Sequence, residues 1–194
     1  MKKILVLLFA TLLIGLAACS DDPDNESKSG SEDNEQASEK VDKENDKGET
    51  KKIYHIGDTA KITSSTYEFP YEVTANSFEL TSDKVDGVGL EKFGYTAEEG
   101  GKFAVINVTI KNTSTRPFIP NDKISAQLVS DSLGMNSEDE DFFKERNVEL
   151  KPGEEITGNI VYISSDFYED NVLYMIYEYK ANEETRFELP VPEK

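Results

Sequence analysis

The stretch that decides the fold is KFAVINVTIKN, residues 102–112, because its apolar side chains recur at every second position. One face of an extended chain carries Ala104, Ile106, Val108 and Ile110, and the other carries Val105, Asn107, Thr109 and Lys111. A period of two is typical of a β-strand, since successive side chains point to opposite sides of the sheet. We therefore expect the first face to be buried and the second to be at least partly wet.

Similar stretches occur along the rest of the chain and are separated by turn-forming Gly, Pro, Asn and Asp. They cover residues 59–64, 71–82, 123–131, 155–164, 171–180 and 185–191. The shared faces within them include Ile124, Ala126 and Leu128 in one stretch and Phe187, Leu189 and Val191 in another. About seven short strands in one domain predict an all-β fold, an immunoglobulin-like antiparallel β-sandwich over residues 53–194. For residues 136–146 we expect a loop or a short helix capped by Ser137.

Three phrases carry a resemblance to a known family: IGD at 56–58, GGKFAVINVTIKNTSTRPF at 100–118 and LKPGEEITGNIVY at 150–162. They resemble the telokin-like, immunoglobulin-like domain of unknown function in secreted proteins and lipoproteins of Gram-positive bacteria, and the sandwich of secreted mycobacterial antigens. The resemblance implies a sandwich, an export route and an extracellular binding role, and it supplies no catalytic residue. Within it, Asn112 caps a turn, and Pro152 with Gly153 forms another.

The N-terminus has the pattern of an export signal. Two lysines follow Met1, and Ile4 to Ala18 then runs for 15 residues without a charge. This run is shorter than the roughly 20 apolar residues that a membrane-spanning helix needs, so we expect a signal peptide over residues 1–18. The sequence Leu16-Ala17-Ala18-Cys19 resembles the lipobox of bacterial lipoproteins. The resemblance implies that the Cys19 thiol receives a diacylglycerol thioether, that the chain is cleaved before Cys19, and that Cys19 becomes the acylated N-terminus, which would anchor the chain in the membrane.

Residues 19–52 are predicted to form a disordered acidic linker, because residues 20–52 hold 12 acids and six lysines with only Ala37 and Val41 apolar. Residues 53–194 are also acidic, with 27 acidic and 13 basic residues. Such a charge disfavours binding to nucleic acid. Cys19 is the only cysteine, so an intrachain disulfide is impossible and a catalytic thiol would have only His55 as an imidazole base.

Two groups of residues are candidate binding sites. An acidic cluster could bind Ca²⁺ through carboxylate oxygens, although it lacks the spacing of an EF-hand loop. It comprises Glu138, Asp139, Glu140 and Asp141. Aromatic residues near the C-terminus could form a recognition surface, although packing in the core of a sandwich explains most of them. The candidates are Tyr168, Tyr174, Tyr177 and Tyr179. His55 is a further, weaker candidate as a metal ligand or base, and the sequence indicates neither a catalytic residue nor a cofactor.

The sequence therefore favours an exported lipoprotein on the extracellular side of the cell membrane. Its sandwich would be a non-catalytic module that binds an extracellular protein or an envelope component. A cation-binding or envelope-sensing protein that uses residues 138–141 is one alternative. An envelope hydrolase is another, and it would require two carboxylates from distant strands to meet in a concave pocket. The long segment 83–99 and the acidic insertion at 136–141 depart from the family pattern and could set a ligand preference.

Overall fold

The computed structural model describes residues 50–137 and 141–193. In that part of the chain the strands are β1 Thr50–Tyr54, β2 Thr59–Thr63, β3 Pro70–Thr81, β4 Lys102–Asn112, β5 Ala126–Val129, β6 Gly134–Asn136, β7 Glu155–Ser164, β8 Val172–Tyr177 and β9 Glu183–Pro190. A one-turn helix, α1, spans Pro120–Lys123, and 3₁₀ helices span Leu90–Phe93 and Lys144–Asn147. All seven stretches predicted from alternation contain a strand.

The strands form two sheets, which confirms the predicted β-sandwich. The five-stranded sheet has the order β1-β9-β8-β5-β6, and the four-stranded sheet has the order β2-β3-β4-β7. The prediction of a wholly antiparallel sandwich of about seven strands needs correction, because β1 and β6 add two strands and β1 pairs with β9 in parallel. The predicted boundary between linker and sandwich, at residues 52 and 53, differs from the structure, because β1 already begins at Thr50.

The main core lies between the two sheets. The predicted inner face of β4 is confirmed: Ala104, Ile106, Val108 and Ile110 all have 0% exposure. Aromatic rings extend this core, with the ring centroids of Phe69 and Phe118 4.4 Å apart. Burial of each large apolar side chain contributes about 1.5–3 kcal/mol, so this interior supplies most of the stabilisation.

A second apolar cluster lies on the outer face of the four-stranded sheet. Its buried members are Val85, Leu90, Phe103, Val105, Phe142, Val161 and Ile163. The segment between β3 and β4 supplies Val85 and Leu90, and it packs over side chains of β4 and β7. This cover explains why Val105, which alternation places on the wet face, is only 6% exposed. The outer face is therefore apolar and covered at one end and polar elsewhere.

Residues 142 and 143 protect the outer edge of β7. Phe142 belongs to the outer cluster and Phe143 to the main core, so two successive side chains contact opposite faces of the sheet at its edge strand. Phe143 has a left-handed backbone, with φ of 44°. Its ring contacts Gly158 of β7 so closely that there is no room for a Cβ atom at that position. In the described part of residues 136–146, a 3₁₀ helix begins at Lys144, and the residues that would follow a cap at Ser137 lie outside the described residues.

Asn112 fixes the loop that follows β4, as the sequence predicts. Its buried amide nitrogen donates to the carbonyl oxygens of Arg116 and Leu150, both at 2.8 Å. Its side-chain oxygen accepts from the Ser114 amide at 2.9 Å and from the Ser114 hydroxyl at 2.7 Å. Gly153 has φ of 81°, which confirms the turn predicted at Pro152 and Gly153.

Candidate functional site

A row of side-chain amides crosses the polar part of the outer face. The amide nitrogen of Asn76 on β3 donates to the side-chain oxygen of Asn107 on β4 at 2.9 Å. The amide nitrogen of Asn107 in turn donates to the side-chain oxygen of Asn159 on β7, also at 2.9 Å. Asn107 and Asn159 are directly opposite each other in the register of the sheet. The three amides therefore form a continuous hydrogen-bonded row perpendicular to the strands.

Threonine pairs extend this row toward the other end of the outer face. The hydroxyls of Thr59 and Thr74 are 2.7 Å apart, and those of Thr109 and Thr157 are 2.8 Å apart. Asn76 joins the two motifs by donating to the Thr109 hydroxyl at 3.0 Å. We call these seven side chains the Asn/Thr ladder. Because each one is held by its neighbours, the ladder presents polar groups whose side-chain entropy is already reduced before any ligand binds.

An open groove lies where the ladder meets the covered end of the outer face. It encloses about 470 Å³, a size within the usual range for small-molecule sites. Asn107 and Asn159 lie on its floor, β3 contributes Ser77 and Glu79, and residues 83–86 supply the remaining side. The amide nitrogen of Asn159 donates to no residue that the structure describes, so the ladder ends in the groove with a donor available to a ligand.

The carboxylates of the groove come from one part of the chain. Glu79 lies on β3, and Asp83 and Asp86 lie in the loop that follows it. Lys84 also lines the groove, and its ammonium is 3.9 Å from the Glu91 carboxylate. The arrangement differs from the pair of carboxylates on distant strands that a hydrolase of the predicted kind requires. It gives the groove an acidic rim beside an amide floor, which suits ligands with hydroxyl, amide or cationic groups.

The predicted cation site falls mostly outside the described residues. Glu138, Asp139 and Glu140 are not among them, and Asp141 forms an ion pair with Lys92. Within residues 50–137 and 141–193, no three His, Cys, Asp or Glu side chains are grouped so as to hold a metal ion. The negative charge of the Asp141 carboxylate is thus already balanced by the Lys92 ammonium. The proposal that residues 138–141 bind Ca²⁺ stays a prediction.

The structure does not bring the four candidate tyrosines together. Tyr177 has 0% exposure and packs in the main core, so its assignment to a binding surface is wrong. Tyr168 precedes β8 and Tyr179 follows it, so a strand of six residues, about 20 Å long, separates them. Each of the other three rings has a cation nearby: Lys102 near Tyr168, Arg186 near Tyr174 and Lys180 near Tyr179. They line different parts of the sandwich.

His55 lies in a turn. Its backbone amide donates to a carboxylate oxygen of Asp58 at 2.9 Å, and the Asp58 amide donates to the His55 carbonyl at 3.0 Å. The imidazole Nδ1 is 3.6 Å from the same carboxylate. His55 is exposed, and it lies in the connection between β1 and β2 rather than in the groove.

In the part of the chain that the structure describes, Tyr71 and Asp170 have shifted pKa values, and neither residue lines the groove. Burial, followed by repulsion from the Glu178 carboxylate, strongly raises the pKa of Tyr71. The Tyr71 hydroxyl donates to Glu178 at 3.0 Å, and the same carboxylate accepts from the amide and the hydroxyl of Ser65. Hydrogen bonds from the hydroxyls of Ser130 and Ser132 lower the pKa of Asp170. Both carboxylates hold loops together.

Sequence reasoning missed the groove because its asparagines are uncharged and come from strands that are distant in sequence. Alternation places Asn107 and Thr109 on the wet face of β4, and this placement is confirmed. The missing signal was the register: Asn159 faces Asn107 only because β4 and β7 pair with that alignment. An asparagine in the middle of a strand is unfavourable by propensity, so two of them on neighbouring strands could have indicated a role beyond folding.

The fold and the groove define a small β-sandwich domain with a polar concave surface on one sheet. A family model described as Domain of unknown function (DUF4352) matches residues 54–180, and the chain belongs to this family. No curated protein matches.

Two solved structures are similar to the chain. One is a conserved hypothetical protein from Bacillus anthracis, with 20% identity, a TM-score of 0.48, and coverage of 69% of this chain and 94% of that one. The other is an uncharacterized β-sandwich protein from Clostridium difficile 630, with 20% identity, a TM-score of 0.48, and coverage of 76% and 99%. Among the described residues, none of the helices has the length and apolar character to cross a bilayer.

Proposed function

We propose that the chain is an exported lipoprotein, anchored through Cys19 on the extracellular side of a Gram-positive cell membrane. Its sandwich is a non-catalytic module that binds an envelope or extracellular partner through the groove at the end of the Asn/Thr ladder. The anchor is supported by the uncharged run that ends in Leu16-Ala17-Ala18-Cys19. The telokin-like resemblance supports the same route of export.

The observation that carries the binding role is the ladder of amides and hydroxyls that ends in an open groove. Side chains on the wet face of a sheet ordinarily make hydrogen bonds to water and keep their rotamer freedom. Here Asn107 both accepts from Asn76 and donates to Asn159, so its orientation is fixed on both sides. A ligand with hydroxyl or amide groups would therefore meet donors and acceptors that are already oriented, which lowers the entropic cost of binding.

The acidic rim narrows the class of ligand. Glu79, Asp83 and Asp86 accept hydrogen bonds and attract cations, so a neutral or cationic polar polymer fits the groove better than an anionic one. Glycans with free hydroxyls and basic peptide segments of the envelope have this chemistry.

The experiment is co-sedimentation of the purified full chain with isolated Gram-positive envelope, carried out for wild type and for Asn107→Ala. Removing Asn107 breaks both amide contacts and takes a polar group from the groove floor. We expect the bound fraction to fall about tenfold. Loss of oriented polar contacts in a small site lowers affinity by about ten- to a hundredfold.

Thr59→Ala is the matched control. It removes a hydroxyl from the same ladder, but Thr59 lies at the far end of the outer face and does not line the groove. Binding by Thr59→Ala should equal wild type. Equal binding by wild type and Asn107→Ala, with both chains folded by circular dichroism, would show that the partner does not use the groove.

A further inference from the structure

A second concave feature, distinct from the groove, lies between the β2–β3 loop and the loop after β4. We call it the cationic notch. It encloses about 190 Å³ and is lined by Tyr67, Phe69, Phe118, Arg116 and Lys123, together with Ser114 and Pro117. None of these lining residues is acidic, although acids outnumber bases 39 to 21 in the chain. In such a molecule, two neighbouring cations without a nearby acid in the same notch are unexpected.

The cations of the notch are held by groups other than carboxylates. The Lys123 ammonium lies 4.0 Å from the centroid of the Tyr67 ring, a close cation–π contact. Neither Lys123 nor Arg116 forms an ion pair with any residue in the described ranges. Their charges are therefore available to a ligand without the cost of breaking an existing salt bridge.

The backbone that carries Arg116 is rigid. The Arg116 carbonyl accepts from the buried Asn112 amide and lies 2.7 Å from the Ser114 hydroxyl oxygen. The Arg116 amide donates to that hydroxyl oxygen at 3.2 Å. Pro117 follows and restricts the chain further. The guanidinium is thus attached to a fixed loop rather than to a flexible one, which favours its use in recognition.

Aromatic rings provide the apolar part of the notch. The Phe69 and Phe118 rings pack against each other, and each is 9% exposed. A ligand can therefore contact them only at the base of the notch. Tyr67 is 44% exposed, and its ring centroid lies 6.4 Å from that of Phe69. The volume is below the usual range for a whole small-molecule ligand, so the notch fits one apolar side chain with an anionic group beside it.

We propose that the cationic notch binds an acidic peptide segment of a protein partner, with an aromatic or aliphatic side chain on Phe69 and Phe118 and a neighbouring carboxylate on Arg116 and Lys123. The rings favour a peptide over other anions of the envelope. A polyol phosphate polymer has no apolar group to cover them, and a phospholipid keeps its apolar chains in the bilayer. Arg116 presents the planar donor fork that pairs with a carboxylate through two hydrogen bonds.

The test uses the full chain and dye-labelled pentapeptides in fluorescence anisotropy. The probe is Gly-Asp-Phe-Asp-Gly, and its two controls are Gly-Asn-Phe-Asn-Gly and Gly-Asp-Gly-Asp-Gly. We expect saturable binding of the probe below about 1 mM and at least tenfold weaker binding of each control, since each control lacks one of the two contacts. The double variant Arg116→Gln, Lys123→Gln should bind the probe at least tenfold more weakly than wild type.

Lys61→Gln is the control variant, because Lys61 is an exposed lysine on β2 that does not line the notch. It should bind as wild type does, which separates a local contact from the effect of net charge. If Lys61→Gln weakened binding of the probe as much as the double variant does, the proposal would be overturned. So would absence of probe binding up to about 1 mM, or displacement of the probe by glycerol phosphate or phosphatidylglycerol vesicles at equal phosphate concentration.

Discussion

Replacing Gly158 by alanine should destabilise the sandwich through one contact. A Cβ atom built at Gly158 would lie 2.2 Å from Cδ2 and 2.6 Å from Cε2 of the Phe143 ring. Carbon atoms in ordinary contact are about 3.5–4.0 Å apart, so the ring or the edge strand would have to move by more than 1 Å. Overpacking of this kind costs about 1–3 kcal/mol, and we expect the upper half of that range because Phe143 is 5% exposed and closely surrounded.

A double-mutant cycle isolates the contact. Phe143→Ala should cost about 3–5 kcal/mol by itself, because it leaves a cavity in the main core. In that background, Gly158→Ala should cost nothing further, since the added methyl group enters space that the ring has left. The two changes should therefore be non-additive by about 2–3 kcal/mol.

Urea unfolding of the full chain, followed by far-ultraviolet circular dichroism, measures the effect. With a slope of about 1–3 kcal/mol per molar urea, Gly158→Ala should lower the midpoint by about 1 M. Gly134→Ala is the control, because no atom lies within 4 Å of its Cβ position and its φ is not positive. A Gly158→Ala midpoint equal to that of Gly134→Ala, or additive free energies in the cycle, would refute the account of the β7 edge.

Three further predictions concern ionisation, a buried amide and the anchor. The pKa of Tyr71 is raised in the folded chain, so above pH 10 the unfolded chain loses the Tyr71 proton while the folded chain keeps it. The free energy of unfolding should therefore fall by about 1.4 kcal/mol per pH unit because of Tyr71. Tyr71→Phe should reduce the slope of stability against pH by that amount in urea titrations at pH 10–11, and an unchanged slope would contradict it. Asn112→Ala should cost about 2–4 kcal/mol in thermal or urea unfolding, because it leaves the Leu150 carbonyl without its side-chain donor; a loss under 0.5 kcal/mol would count against the role of Asn112. Cys19→Ser should abolish labelling by radioactive palmitate and move the chain from the membrane to the soluble fraction, whereas continued labelling would place the acyl group elsewhere.

The strands of the core were predictable because burial of one face imposes a period of two. In β4 this rule placed every inward side chain correctly, from Ala104 to Ile110. β1 was missed because its sequence TKKIY is polar and continues the lysine-rich linker, so only pairing with β9 makes it a strand. β6 has three residues and no alternation to detect. β1 therefore depends on a partner distant in sequence, whereas β6 pairs with the neighbouring β5.

The candidate site was less predictable because it depends on register and on loop packing. The segment 83–99 was recognised as unusual, but its Val85 and Leu90 could not be assigned to a second core on the outer face. The tyrosine prediction failed at Tyr177 because a strand buried on one face and a recognition surface have the same aromatic composition. Charge and aromaticity identify candidates, whereas strand pairing decides which of them meet.

The most direct test of the central claim is site-specific photo-crosslinking of the full chain to native Gram-positive envelope. A benzoylphenylalanine at position 77, in place of Ser77, would stand in the groove. The same group in place of Glu188 would stand on the outer face of the five-stranded sheet. That face and the groove lie on opposite sides of the main core. We predict a discrete crosslinked product from position 77 and none from position 188. Equal products from both positions, or a product from position 188 alone, would contradict a binding role for the groove.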